Sequence, residues 1–190
     1  MDFNAIVNRV IKVAMLNVPT YEEIENDQSL NQQALIVVIA VSILAGIGAV
    51  LSALFSPVTV GAAIVGAVWA VIWGVLGYYV WSYLTWWIGT SLFQGQADQG
   101  EVLRTLGFAQ GPRALSVFSF IPCVGAILSL VGGIWALVCG FIAVRESLDL
   151  DNGKALITII IGWIIIMVVG IIVGGILGIG GLALGGLLGS

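Results

Sequence analysis

The sequence contains no histidine and only two cysteines. Without histidine it lacks the commonest general base and the commonest side-chain ligand of transition metals. Cys123 and Cys139 fall on one predicted helix, where a rise of 1.5 Å per residue would separate them by about 24 Å, too far for a disulfide bond. No nucleophile, base and oxyanion donor occur together. We therefore predict no catalytic residue, no metal site and no cofactor, and we do not expect an enzyme.

Charge is also scarce. Charged residues make up 8% of the chain, and its six lysines and arginines form no patch, which excludes the basic surface of a nucleic-acid-binding protein. Hydrophobic residues make up 60% and occur in long uninterrupted runs. Only helices and closed barrels satisfy their own hydrogen bonds in lipid, and continuous runs favour helices. The sequence thus predicts an all-α integral membrane protein.

The apolar runs predict about five transmembrane helices preceded by an amphipathic interfacial helix. The N-terminal stretch at 1–17 is too charged to span the membrane and is expected to lie flat on its surface. The next stretch, at 18–33, is acidic and contains Pro19, which is expected to end the first helix. Thr20 and Glu23 also fit a capping box for a second short helix. The predicted boundaries are an interfacial helix at 1–17, an acidic polar linker at 18–33, a helical bundle at 34–180 with spans near 34–55, 61–93, 105–121, 123–144 and 155–178, and a glycine-rich tail at 181–190.

The distribution of basic residues predicts the orientation. Five crossings that start from a cytoplasmic N-terminus place the basic residues of the loops and of the first helix on the cytoplasmic side, and they leave the opposite loops without any. We therefore predict a cytoplasmic N-terminus and a C-terminus on the opposite side of the membrane. A re-entrant hairpin formed by the third and fourth segments would give the same sidedness, so charge does not separate these alternatives.

Arg113 is a permanent charge inside the third apolar run, directly after Gly111 and Pro112. Pro112 cannot donate to the helical ladder and disfavours a helical Gly111, so the segment is expected to kink or to begin its helix at Pro112. An isolated charge inside a membrane span costs about 2.5 to 3.5 kcal/mol on insertion scales and therefore requires a partner. We predict a structural or lipid-anchoring arginine, with contact to a substrate or ion as the alternative. Its candidate partners are lipid phosphate, exposed carbonyl groups, and the carboxylates of Glu101, Glu146 and Asp149.

Small residues recur every four positions in three of the predicted spans. Such stripes let helix backbones approach closely in lipid, where van der Waals packing supplies much of the association energy. They are predicted to pack the helices of one chain, and the alternative is that they join two copies. The predicted packing residues are Gly66, Ala70, Gly74, Gly132, Ala136, Gly140, Gly170 and Gly174.

Several stretches together resemble the prokaryotic branch of the Yip-domain family of multi-span membrane proteins. They are "PTYEEI" before the first span, "VLRTLGFAQGPRAL", and "IPCVGAILSLVGGIWALVCGFIAVRESLDL". The resemblance implies five transmembrane helices with a cytoplasmic N-terminus and a location in a prokaryotic cell membrane. Eukaryotic members bind prenylated Rab-type GTPases, but their Asp-Leu-Tyr-Gly-Pro signature is absent here. A Rab-type GTPase is therefore not an expected partner.

Two functional hypotheses remain. The first is a non-enzymatic protein that scaffolds or organises a membrane complex, with the N-terminal helix and the loops after the second and fourth spans as its cytoplasmic docking face. The second is a small transporter or channel subunit that uses the broken third span around Arg113. Most spans offer only isolated serine or threonine, which favours the scaffold. The expected partners are membrane lipids and either another membrane protein or a second copy of the chain.

Overall fold

A computed structural model describes residues 2–55 and 57–188, and it describes side-chain surroundings as far as residue 172 except at Gly170. Within this part of the chain all regular structure is helical. The α-helices are α1 (Phe3–Ala14), α2 (Val18–Asn26), α3 (Asn31–Ala53), α4 (Val60–Phe93), α5 (Gln99–Ala109), α6 (Val124–Ser147) and α7 (Asn152–Leu188). Two 3₁₀ segments occur, a short turn at Gln28–Leu30 and a longer one at Gly111–Phe120, which we call the 3₁₀ segment.

Four helical stretches among the described residues are long and apolar enough to cross a membrane. None of the most apolar window of α4 is buried inside the protein, so its side chains require lipid around them. The predicted class of all-α integral membrane protein is confirmed. The four stretches are Gln28–Ala53, Val60–Phe93, Val124–Ser147 and Asn152–Val169.

The structure divides the predicted third span at 105–121 into two helical parts. α5 ends at Ala109, and the chain continues from Gly111 as the 3₁₀ segment. The physical reason is Pro112, which has no N–H to continue the α-helical ladder. The expected break at Gly111 and Pro112 is therefore present.

The 3₁₀ segment runs antiparallel to α6. Gly132 in the middle of α6 lies against Pro112, and Gly125 in its first turn lies against Phe118. The other side of the segment lies against α3, where a Cβ added to Gly48 would stand 2.6 Å from the carbonyl oxygen of Ser116. The 3₁₀ segment therefore extends along α6 to its first turn. The five membrane crossings stay a prediction.

The predicted linker at 18–33 is also corrected, because most of it is helical. Asn17 caps α2 by accepting a hydrogen bond from the Thr20 N–H, and Pro19 lies in the first turn of α2, where its missing N–H costs nothing. Pro19 therefore starts a helix, and α1 ends earlier, at Ala14. Tyr21 and Ile24 are fully buried, which explains why this acidic stretch is ordered.

The main core lies at one end of the bundle. There α1, α2 and α5, which we call the short-helix layer, pack against the adjoining parts of α3 and α6. Ile6 and Val13 face inward from α1, and Phe108 is fully buried on α5. α7 extends through most of the predicted tail at 181–190, as far as Leu188.

Candidate functional site

Arg113 lines a cavity within the bundle. The cavity has a volume of about 380 Å³ and is bounded by α3, α4, α6 and the 3₁₀ segment. Its polar lining consists of Gln110, Arg113 and three serines, Ser42, Ser116 and Ser129. The rest of the lining is small or aliphatic, and no acidic residue of the described chain belongs to it. The broken third segment therefore places a cation at a polar cavity among apolar helices.

Arg113 makes its side-chain hydrogen bond one turn back along the chain. Its Nη1 donates to Oε1 of Gln110 at 2.9 Å. Its backbone carbonyl accepts from the Ser116 hydroxyl at 2.7 Å, and its N–H donates to the Gln110 carbonyl at 3.0 Å. Gly111 and Pro112 are both buried, with Gly111 against Val10 of α1. The start of the 3₁₀ segment is thus fixed by packing, while Arg113 itself is an exposed residue.

None of the three predicted carboxylate partners pairs with Arg113 in the described part of the chain. Glu101 accepts from the Asp98 N–H at 2.7 Å in a capping box at the start of α5. Glu146 pairs with its neighbour Arg145, and Asp149 is exposed in the following turn with a φ of 51°. Among the described residues none of these three acids forms an ion pair with Arg113, so the geometry does not support a clamp between the third segment and the loop after α6.

Some residues of the predicted small-residue stripes lie against a neighbouring element, and others have open space beside them. A Cβ added to Gly74 would stand 2.7 Å from Oγ of Ser42, and one added to Gly132 would stand 2.6 Å from the Pro112 carbonyl oxygen. Ala70 lines the cavity and Ala136 is half-buried. A Cβ on Gly66 would meet nothing within 4 Å, and one on Gly140 would only touch Leu106 at 3.9 Å. Gly170 and Gly174 lie outside the residues whose surroundings are described.

Arg104 is one of the basic loop residues whose distribution predicted the orientation, and it has a structural role of its own. It is 2% exposed, and its Nε donates to the Ile24 carbonyl at 3.1 Å while Nη2 donates to the Glu25 carbonyl. Nη1 donates to Oδ1 of Asn31 at 3.1 Å. The last carbonyls of a helix lack intrahelical partners and carry negative partial charge, so Arg104 satisfies the end of α2. The only sequence signal is that α2 has no basic residue in its own last turn.

The end of α1 is tied to α6 by side chains that donate to its carbonyl groups. The Tyr21 hydroxyl donates to the carbonyls of Val13 at 3.0 Å and Cys139 at 3.3 Å. The indole N–H of Trp135 donates to the Ala14 carbonyl at 2.7 Å. These hydrogen bonds attach the end of α1 to α2 and α6.

Glu25 has an altered pKa on the outer side of the short-helix layer. Partial burial, the largest cause, and the negative charges of Asp149, Glu101, Glu146 and Glu22 together raise the pKa of its carboxyl group from 4.5 to about 7. Burial disfavours the charged form, and nearby like charges act in the same direction. Glu25 is therefore a group that titrates near neutral pH.

The loops after α4 and α6 meet each other. The Gln96 N–H donates to the Leu148 carbonyl at 3.1 Å. A Cβ added to Gly95 would stand 3.0 Å from the same carbonyl oxygen, so glycine permits this approach. The indole N–H of Trp86 also donates to the Ala97 carbonyl at 3.0 Å, which fastens the first loop to α4. The two loops therefore form one surface.

The sequence that forms this arrangement matches a known protein family. A protein-family model, that of the Yip1 domain, matches residues 14–185, which include the α2, α5 and α6 contacts and the cavity. Neither curated proteins nor solved structures give a match. Because the family model covers most of the chain, the resemblance is confirmed, and the protein belongs to the Yip1 domain family.

Proposed function

We propose that this membrane protein is non-enzymatic and scaffolds a membrane complex through its cytoplasmic face. The observation that carries the proposal is the contact between the loops after α4 and α6, where Gln96 bonds to Leu148. Two loops that are far apart in sequence thereby present a single surface next to the short-helix layer. A fixed surface of this kind loses less conformational entropy on binding than two independent loops would.

The joined loop surface is polar and mixed in charge. A partner that binds it would use hydrogen bonds and complementary charges, as non-obligate interfaces do at their rims. Another membrane protein, or a second copy of this chain, meets that description. The exposed residues of the surface are Gln94, Gln96, Asp98, Gln99, Asp149, Asp151, Asn152 and Lys154.

α1 supports the proposal through its outer face. Phe3, Val7, Ile11 and Met15 lie four residues apart on α1 and the turn after it, and they are 40% to 74% exposed. The opposite face packs inward through Ile6 and Val13. An apolar stripe of this kind is suited to burial at the boundary between headgroups and acyl chains. In our proposal α1 rests there on the cytoplasmic side, with the N-terminus in the cytoplasm and the C-terminus opposite.

To test the proposal, the protein is extracted from its own membrane together with surrounding lipid. Native mass spectrometry then identifies all components of the intact assembly. We expect another polypeptide, or a second copy, at fixed stoichiometry. The double variant Gln99→Arg and Lys154→Glu, which changes charges on the joined loops, is expected to release it. The control Asn8→Arg changes charge at an exposed position of α1 and is expected to retain it. Retention by both variants would contradict docking at the loops.

A second candidate function is a small transporter or channel subunit. The cavity beside Arg113 favours it, because a polar space among membrane-length helices is a feature of such proteins. Flux measured in liposomes would test it, with wild type and Arg113→Gln compared at equal reconstitution. Flux that depends on Arg113, from a protein that carries no other polypeptide, would replace the scaffold proposal.

A further inference from the structure

The cavity beside Arg113 has hydrogen-bond donors that the protein itself leaves unused. We infer that it is a binding site for a phosphate group, held by Arg113, Gln110 and Ser129. The inference concerns the inside of the bundle and does not depend on the docking proposal, which concerns the cytoplasmic face.

Arg113 supplies the charge. Its guanidinium group is ionised at any physiological pH and has five N–H donors in a planar fork. One nitrogen donates to Gln110 Oε1, and no carboxylate of the described chain pairs with it. The fork suits the oxygens of a phosphate group, and a cation would be repelled. The occupant is therefore an oxyanion.

Ser129 is the second donor. Its Oγ is buried and has no hydrogen-bond partner, and the residue lines the cavity. The other two hydroxyl groups are committed, because Ser42 donates to the Val38 carbonyl at 2.8 Å and Ser116 donates to that of Arg113 at 2.7 Å. A buried polar atom without a partner is costly, and an acceptor in the cavity would remove that cost.

Gln110 supplies the third donor. Its Oε1 accepts from Arg113, which leaves its amide NH₂ group to donate. The three donors come from α6, from the start of the 3₁₀ segment and from the residue before it. A phosphate group offers a separate oxygen to each of three donors, whereas a carboxylate would have to share its two oxygens among them. This count favours phosphate over carboxylate.

Small residues leave the space open. Gly74 and Ala70 on α4 and Gly133 on α6 line the cavity, and a Cβ added to Gly133 would meet nothing within 4 Å. A leucine at 133 therefore has room at its Cβ, and we expect its side chain to fill part of the cavity that Gly133 lines. It would also raise helix propensity, so the variant is expected to fold.

The phosphate could belong to a lipid headgroup or to a free ion, and two probes separate these sources. Wild type purified in mild neutral detergent is titrated with phosphatidylglycerol, with diacylglycerol as the lipid without phosphate, and separately with inorganic phosphate. Bound lipid is counted by native mass spectrometry, and binding of phosphate is measured by calorimetry. Binding of phosphatidylglycerol but not of phosphate identifies a lipid site, and the reverse identifies a site for the free ion.

The variants locate the site. Arg113→Gln removes a charge-assisted contact, and Gly133→Leu occupies the space that the phosphate would need. Each is expected to weaken binding of the effective probe about tenfold or more. Gly66→Leu is the matched control, because a Cβ there also meets nothing within 4 Å and Gly66 does not line the cavity.

If Arg113→Gln fails to fold, the result for Gly133→Leu decides whether the cavity is the binding site. The inference is overturned if neither probe binds wild type, if diacylglycerol binds as well as phosphatidylglycerol, or if Gly133→Leu binds like wild type.

Discussion

The short-helix layer and the membrane-length helices are stabilised in different ways. In the layer, side chains of α1, α2 and α5 are fully buried and donate to the ends of neighbouring helices, as Tyr21 and Arg104 do. Along α4, large apolar residues such as Val65 and Trp73 are 71% and 59% exposed. The first region therefore supplies its own interior, while the second requires lipid to cover it. Equal substitutions in the two regions should have unequal effects.

The largest difference is expected between two isoleucines. Ile24 of α2 is fully buried and Ile64 of α4 is 50% exposed. Ile24→Ala leaves a cavity and is expected to lower the free energy of unfolding by about 3 kcal/mol. Ile64→Ala is expected to change it by less than about 1 kcal/mol, because lipid surrounds that side chain before and after the helices separate. Unfolding by denaturing detergent in mixed micelles measures both, and equal losses would show that the layer has no interior of its own.

A smaller difference is expected between two arginines of the short-helix layer. Arg104→Met keeps the length of the side chain but leaves the Ile24 and Glu25 carbonyls without their donor, and we expect a loss of about 2 kcal/mol. Arg9→Met breaks the partly exposed ion pair with Glu23 and is expected to cost less than about 1 kcal/mol. The same unfolding assay applies. A greater loss for Arg9→Met would reverse the assignment of the structural arginine.

The smallest effect concerns pH. Glu25 has an ordinary pKa of 4.5 and a pKa of about 7 in the folded protein, so the unfolded chain releases this proton first as pH rises. Its contribution to stability is therefore complete below pH 4.5 and is lost as pH rises to about 7. Glu25→Gln should flatten the fall of the melting temperature over that range, by an amount that solvent exposure keeps small.

The control for the pH experiment is Glu22→Gln on the same helix. Glu22 is exposed and contributes least among the four acids that raise the pKa of Glu25. Its variant should keep most of the wild-type pH dependence. If Glu25→Gln and Glu22→Gln gave the same profile as wild type, the pH dependence would have to come from other groups.

The sequence was enough to predict those features that depend on composition and local pattern. Long apolar runs predicted the membrane class, and Pro112 predicted the break in the third segment, because each of these effects acts within a few residues. The linker at 18–33 was predicted wrongly, since its charges were visible but the burial of Tyr21 and Ile24 depends on distant helices. Family membership followed from quoted motifs and is confirmed.

The two arginines show why the site was harder to predict. Arg113 was singled out because it interrupts an apolar run, yet its side-chain partner is Gln110, three residues away, rather than a carboxylate. Arg104 was overlooked because its partners are backbone carbonyls, which every residue has and which leave no mark in the sequence. The glycine stripes have the same limit, since a period of four does not show which glycines meet a neighbour.

The bond between Arg104 and Ile24 also has a consequence for the order of assembly during synthesis. These residues are 80 positions apart, and α3 and α4 lie between them. α2 therefore leaves the ribosome well before the side chain that completes its last turn has been made. The Tyr21 bond to the Cys139 carbonyl spans 118 positions and forms later still. The first two helices are thus synthesised before the residues they pack against, and their packing is completed only after the fourth apolar segment has been made.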